Sequence, residues 1–187
     1  WPEQSFKMTI SKSGLKNLAK SFIYAAENGY PIFASFAQGE DWDMYDAMEL
    51  RNQLLKLKDF YIRNPEYKVC NLLERPLATV GAKAQVQPKF CGAGTGICTY
   101  DVDGTKYACH MFTPIVLGDR AITLESSDAW DNAVTDESCV GCGLIEWCPT
   151  CIGFNNLARG CINKRDKRWC SLMAVTAQVS CIFQLEK

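Results

Sequence analysis

The chain has 187 residues, of which 48% are hydrophobic and 22% charged, and a formal net charge of -1. A chain of this size buries a core without help from disulfides, and this charge balance gives nucleic acid or an anionic lipid surface no electrostatic hold. No apolar run is long enough for a membrane span and no signal-like apolar block opens the chain, so a cytoplasmic protein without membrane or nucleic-acid partners is expected. Residues 1–68 contain no cysteine and read as alternating strand and helix. Phe6 to Ile10 forms the first strand candidate. Leu15, Leu18, Ala19, Phe22 and Ala26 recur at helical spacing, with Ser11 or Ser13 as cap and Gly29 at the stop. Ile32 to Phe36, behind Pro31, has the look of a strand buried on both faces. A second helix is expected from Asp43 through Tyr61, ended by Asn64-Pro65.

Strand, helix, strand, helix with short links predicts parallel βα units. Two such units leave a hydrophobic sheet edge that another segment must cover. A chain that opens on Trp1 rather than Met is therefore expected to have had an N-terminal part.

From Cys70 onward the texture changes to glycines, prolines, short loops and all eleven cysteines, an odd number that forbids complete disulfide pairing within one chain. Cys91 is followed by twelve residues, Gly104, four residues and Cys109; later come Cys139-x2-Cys142-x5-Cys148-x2-Cys151 and then Cys170. Asp103-Gly104 is a two-residue turn signal between β-prone flanks. Counting outward from it sets Val102 against Thr105, Tyr100 against Tyr107 and Cys98 against Cys109. Opposed residues have Cβ atoms roughly 4.5 to 5.5 Å apart, near enough for both sulfurs to reach one cluster. In Cys139-x2-Cys142 one backbone turn presents two sulfurs to one metal, and Cys148 curls back as a third. Cys170 is expected on a C-terminal helix beginning near Asn163, with Cys181 roughly 16 Å further along the axis as a buried structural thiol. Soft thiolates in such numbers suit iron-sulfur clusters or zinc.

The cysteine ladder, together with Tyr107-Ala-Cys-His110, Cys148-Pro-Thr-Cys151-Ile-Gly-Phe-Asn155 and Arg165-Asp166, resembles the SPASM domain. That domain carries the auxiliary clusters at the C-terminus of many radical SAM peptide- and protein-modifying enzymes. The upstream βα units are similar to the last portion of the partial barrel that precedes it, so the resemblance spans nearly the whole chain. The resemblance implies an α/β fold: a partial (β/α) barrel remnant over residues 1–68, followed over residues 69–187 by a small cysteine-rich α+β twin-cluster domain. It also implies two 4Fe-4S clusters with interleaved ligands, the first on Cys91, Cys98, Cys109 and Cys151 and the second on Cys139, Cys142, Cys148 and Cys170. Interleaving ties cluster assembly to folding.

Radical SAM enzymes hold their catalytic cluster on Cys-x3-Cys-x2-Cys, and no three cysteines here have that spacing. The resemblance thus implies an N-terminal radical SAM half or separate chain that supplies S-adenosylmethionine and a third 4Fe-4S cluster. A peptide or protein substrate and a small electron donor or acceptor protein would complete the system. Gln38, Glu40, Asp41 and Trp42, at the carboxyl end of the second strand where barrel sites are built, are the candidate substrate-channel residues. His110, the sole histidine, stands where sulfatase-maturating relatives tend to carry an aspartate, and it is the candidate catalytic base. Three other readings remain open. A zinc module would use Cys139, Cys142, Cys148 and Cys151; a disulfide scaffold would be oxidised and metal-free; a freestanding electron-transfer protein would need no N-terminal partner.

Overall fold

The computed structural model describes residues 4–81, 91–126 and 136–187. In chain order the elements are β1 (Phe6–Ile10), α1 (Leu18–Glu27), β2 (Ile32–Phe36), α2 (Met44–Arg63), β3 (Thr99–Tyr100), β4 (Lys106–Tyr107), α3 (Pro114–Leu117), α4 (Ile152–Arg159) and α5 (Trp169–Glu186). The class is mixed α/β. Two compact units form, one from Trp1–Val80 with Lys167–Lys187 and the other from Gly81–Asp166.

This division differs from the one expected at residue 68. Residues up to Val80 belong with the βα units, and α5 joins them rather than the cysteine-rich part. The reason is apolar burial: α5 lies along α2, burying Trp169, Leu172, Met173, Val179 and Phe183, with the Phe183 ring edge-on to Tyr61. Ser180 Oγ donates to the Leu73 carbonyl at 2.7 Å and Gln184 Nε2 to that of Arg75 at 2.8 Å, so the helix also satisfies the loop it covers. The helix begins at Trp169, later than Asn163, because the charged run from Lys164 to Arg168 offers no apolar stripe to bury.

In the first unit β1 and β2 pair in parallel, in register from Phe6 with Ile32 to Ile10 with Phe36. Ile10, Ala34 and Phe36 are buried on the shared face. The opposite face is open: Phe33 is 53% exposed, so β2, expected to be buried on both faces, is buried on one. A two-stranded sheet with its helices on a single face leaves the other bare. The outer edge of β2 is closed by a side chain, since the Asn71 amide both donates to the Ala34 carbonyl and accepts the Ala34 N–H, each at 2.8 Å. Toward β2, β1 uses Phe6 N–H and Ile10 C=O. On its other edge Lys7 and Thr9 form no outward backbone hydrogen bond among the described residues.

Helix starts are fixed by side chains. Asp43 caps α2 by accepting the N–H groups of Tyr45 and Asp46 at 2.7 and 3.0 Å, while Asp46 accepts that of Asp43, a reciprocal capping box. Lys12 bridges both carboxylates at 2.8 and 2.9 Å, joining the loop after β1 to the loop after β2. No side chain of its own caps α1; instead the buried Gln53 of α2 accepts the Ala19 N–H at 3.0 Å.

Candidate metal centre

The second unit has little regular structure, and its order comes from glycine turns and a small core of Ala93, Tyr107, Ala108, Phe112, Leu117 and Ile152. Each of three cysteines is chained to that core. Cys91 lies two residues before Ala93, Cys109 follows Ala108 and itself packs against the core, and Cys151 precedes Ile152. The loop after Cys91 is wound tightly on the Gly92 carbonyl, which accepts the N–H groups of Thr95, Gly96 and Ile97. Gly94 N–H then reaches the Ala108 carbonyl at 3.1 Å, which lays this loop against β4. Gly92 and Gly94 both adopt positive φ, 69° and 79°, a conformation glycine takes without a Cβ penalty.

The hairpin departs from expectation by one residue. Thr99 faces Tyr107 and Tyr100 faces Lys106, so Tyr100 is not opposite Tyr107. Continued one step, this register sets Cys98 against Ala108 rather than Cys109. The connection holds three residues, Val102, Asp103 and Gly104: Asp101 N–H meets the Thr105 carbonyl at 2.9 Å, and only Gly104, at φ 85°, takes a positive φ. A two-residue turn of the expected type needs positive φ at both central residues. Asp103 instead spends its carboxylate on the Thr105 N–H at 2.9 Å. The cross-strand argument for Cys98 as a neighbour of Cys109 therefore lapses, and Cys98 is exposed.

Cys91, Cys109 and Cys151 thus hang on one core. Burial pushes the Cys109 thiol above its ordinary range, opposed by the Met111 N–H and reinforced by the charges of Cys151 and Cys91. Burial does the same to Cys151, opposed by the N–H groups of Phe154 and Gly153 and reinforced by Cys91. Cys151 is the residue before α4, whose first N–H groups aim at its sulfur, as helix N-termini favour thiolate. The approach of α4 to Cys109 depends on Gly153: a Cβ there would lie 2.4 Å from Met111 Cβ and 3.6 Å from Cys109 Sγ. Nothing in the spacing of the cysteines marked this glycine; its neighbours in the fold do.

The chemistry of Cys91, Cys109 and Cys151 is that of soft sulfur donors, which iron-sulfur clusters and zinc share. Cys109 and Cys151 are half-buried beside backbone N–H groups that can stabilise thiolate charge, while Cys91 is exposed. Models of known families and curated proteins were both compared with the chain. Neither comparison finds a match.

The stretch from Cys139 to Cys151 opens on a turn, as the Cys139-x2-Cys142 spacing anticipated. Val140 at φ -61°, ψ 126° and Gly141 at φ 78° make a type II turn, closed by Cys142 N–H to the Cys139 carbonyl at 3.0 Å. Ile145 N–H then meets the Cys142 carbonyl and Cys148 N–H the Ile145 carbonyl, while Ile145 and Trp147 are buried beneath. Cys148 is buried and Cys142 exposed. Cys170 lies on the first turn of α5, in the first unit. All eleven cysteines fall among the described residues and each is a free thiol. Among the described residues no three His, Cys, Asp or Glu side chains gather as they would around a single metal ion.

The channel candidates fall in the loop after β2. Trp42 turns inward, 2% exposed, its Nε1 donating to the Ala37 carbonyl at 3.1 Å and its ring edge-on to Phe36; it is a core residue. Asp41 is exposed and ion-paired with Arg168. Gln38 and Glu40 are half-buried. His110 is exposed beside Cys109, in a short turn whose carbonyl accepts the Thr113 hydroxyl at 2.8 Å.

Proposed function

We propose that this chain is the auxiliary-cluster and substrate-channel portion of a radical SAM enzyme that modifies peptides or proteins. One observation carries the reading: Cys91, Cys109 and Cys151, drawn from distant parts of the sequence, are each chained to one small core, and a Cβ on Gly153 of α4 would lie 3.6 Å from Cys109 Sγ. On this reading they hold one 4Fe-4S cluster together with Cys98, and Cys139, Cys142, Cys148 and Cys170 hold the other. Bound there, the clusters would supply one-electron chemistry. The polypeptide contributes the rest. Burial around Cys109 and Cys151 limits water, and the N–H groups of Met111, Gly153 and Phe154 stabilise sulfur charge.

The first unit supports the same reading. The edge of β2 is closed by Asn71 while, among the described residues, the Lys7 and Thr9 edge of β1 has no backbone partner, which suits the last two strands of a partial barrel whose earlier strands would add beside β1. Gln38, Glu40 and Asp41 then stand at the carboxyl end of a barrel strand, where a peptide substrate would arrive. His110 is the candidate base. With no Cys-x3-Cys-x2-Cys in the chain, S-adenosylmethionine and the third cluster belong to an N-terminal half or separate chain, and a small electron-carrier protein is the remaining partner.

Anaerobic reconstitution followed by iron and sulfide counting tests the proposal. Two clusters require about eight irons and about eight sulfides per chain. One zinc with no sulfide would replace the proposal by a four-thiolate site on Cys139, Cys142, Cys148 and Cys151.

A further inference from the structure

Arg165 is a cation in an unusual position, only 8% exposed, and it makes no use of that burial for a helix or strand. Its Nη1 donates to the Cys148 carbonyl at 3.1 Å and its Nη2 to the Pro149 carbonyl. The guanidinium thus grips two successive carbonyls of the short turn that runs from Cys148 to Cys151. Its own N–H donates to Asp136 Oδ2 at 2.8 Å. The other oxygen of that carboxylate accepts the Ser138 N–H at 2.9 Å, and the Asp136 carbonyl accepts the Cys139 N–H at 2.7 Å. One arginine and one aspartate therefore strap together the turn bearing Cys139 and the turn bearing Cys148 and Cys151. Asn155 adds a second hold on the latter turn, its Nδ2 donating to Thr150 Oγ1 at 2.8 Å and to the Ile162 carbonyl at 2.9 Å.

We infer that Arg165 is a positioning residue: through the strap to Asp136 it holds the turns bearing Cys139, Cys148 and Cys151 in fixed relation to one another before any metal arrives, and so serves both clusters at once. The inference rests on the reading of these cysteines as cluster ligands. A planar fork suits the task, since it meets two carbonyls together, whereas an ammonium meets them one at a time. Lysine at this position retains the charge and part of the grip.

The full-length chain, stripped of metal with a chelator, is alkylated over time and the rate at Cys148 read by mass spectrometry for wild type, Arg165→Gln and Arg165→Lys. Circular dichroism checks each fold. Arg165→Gln is expected to speed labelling of Cys148 at least about tenfold, the effect of about 1.4 kcal/mol on an opening equilibrium, with Arg165→Lys in between. In the reconstituted chain the electron paramagnetic resonance of the reduced clusters should change in Arg165→Gln and return toward wild type in Arg165→Lys. Wild-type labelling in a folded Arg165→Gln overturns the inference. If Arg165→Gln does not fold, Arg165→Lys decides: faster labelling supports the strap and a wild-type rate overturns it. Iron counting on the wild type is read separately. A wild type that takes up no iron sinks the cluster reading, while the labelling result still stands or falls alone.

Discussion

A single hydrogen atom at position 153 sets how closely the α4 end carrying Cys151 approaches Cys109. Replacing Gly153 by alanine forces a Cβ to within 2.4 Å of Met111 Cβ, and overpacking of that kind costs about 1–3 kcal/mol. On the proposed reading, the Gly153→Ala chain should retain its helix content yet lose the first cluster, dropping from about eight to about four irons. Adding Met111→Gly, which removes the Cβ that clashes, should restore the iron. Full iron content in the single variant would remove the role given to this contact.

Cys70 is the other residue whose environment speaks clearly. It is 4% exposed, and burial pushes its thiol up to about 11 from an ordinary 9.0, against the N–H groups of Leu72 and Leu73 and the Tyr61 hydroxyl. Burial, with the neighbouring thiol, also raises Tyr61. A folded-state value above the unfolded one means the stabilisation is complete below pH 9 and is lost as pH climbs toward 11. The magnitude is on the order of 2–3 kcal/mol. Denaturant titrations of the first unit from pH 8 to pH 11 should show that loss, and Cys70→Ala should flatten it. A thiol held protonated in this way is a poor metal ligand and a poor nucleophile.

Among the elements, the β2 edge depends most on one side chain. The Asn71 amide acts as a one-residue strand against Ala34. Removing it leaves a backbone donor and acceptor unpaired in a half-buried place, a cost of about 1–3 kcal/mol, and frees an edge on which another chain can pair. Asn71→Ala is expected to lower the denaturation midpoint and to raise light scattering with protein concentration. Unchanged scattering would show that the edge is protected by something other than this amide. Strand and helix positions in this unit were legible because their periodicities are local: Phe6–Ile10 and Ile32–Phe36 are found where alternation and apolar runs placed them. The one-sided exposure of β2 was not legible, since a strand cannot announce how many layers will cover it.

Across the whole molecule, cysteine-rich and cysteine-poor sequence do not map onto the two units. Metal binding to the folded chain but not to the unfolded one adds stability in proportion to its occupancy. Calorimetry should therefore show a higher-melting transition after anaerobic loading with iron and sulfide than after chelation. An identical thermogram would count against the coupling between assembly and folding. Among the described residues no helix is long and apolar enough to cross a membrane.

What the sequence determined by itself was local. Helical periodicities, the short apolar strand runs and the Cys139–Cys142 turn each depend on a few adjacent residues. The cysteine ladder named the candidate sulfurs but not their neighbours. Tertiary structure alone decided that α5 leaves the cysteine-rich unit for α2, because a helix joins whichever apolar face it best buries. The same holds for the hairpin register, shifted one residue by a three-residue loop, for the clearance at Gly153, and for the Arg165 strap between the turn bearing Cys139 and the turn bearing Cys148 and Cys151. These depend on distances between residues far apart along the chain, which pairwise spacing along a sequence does not contain.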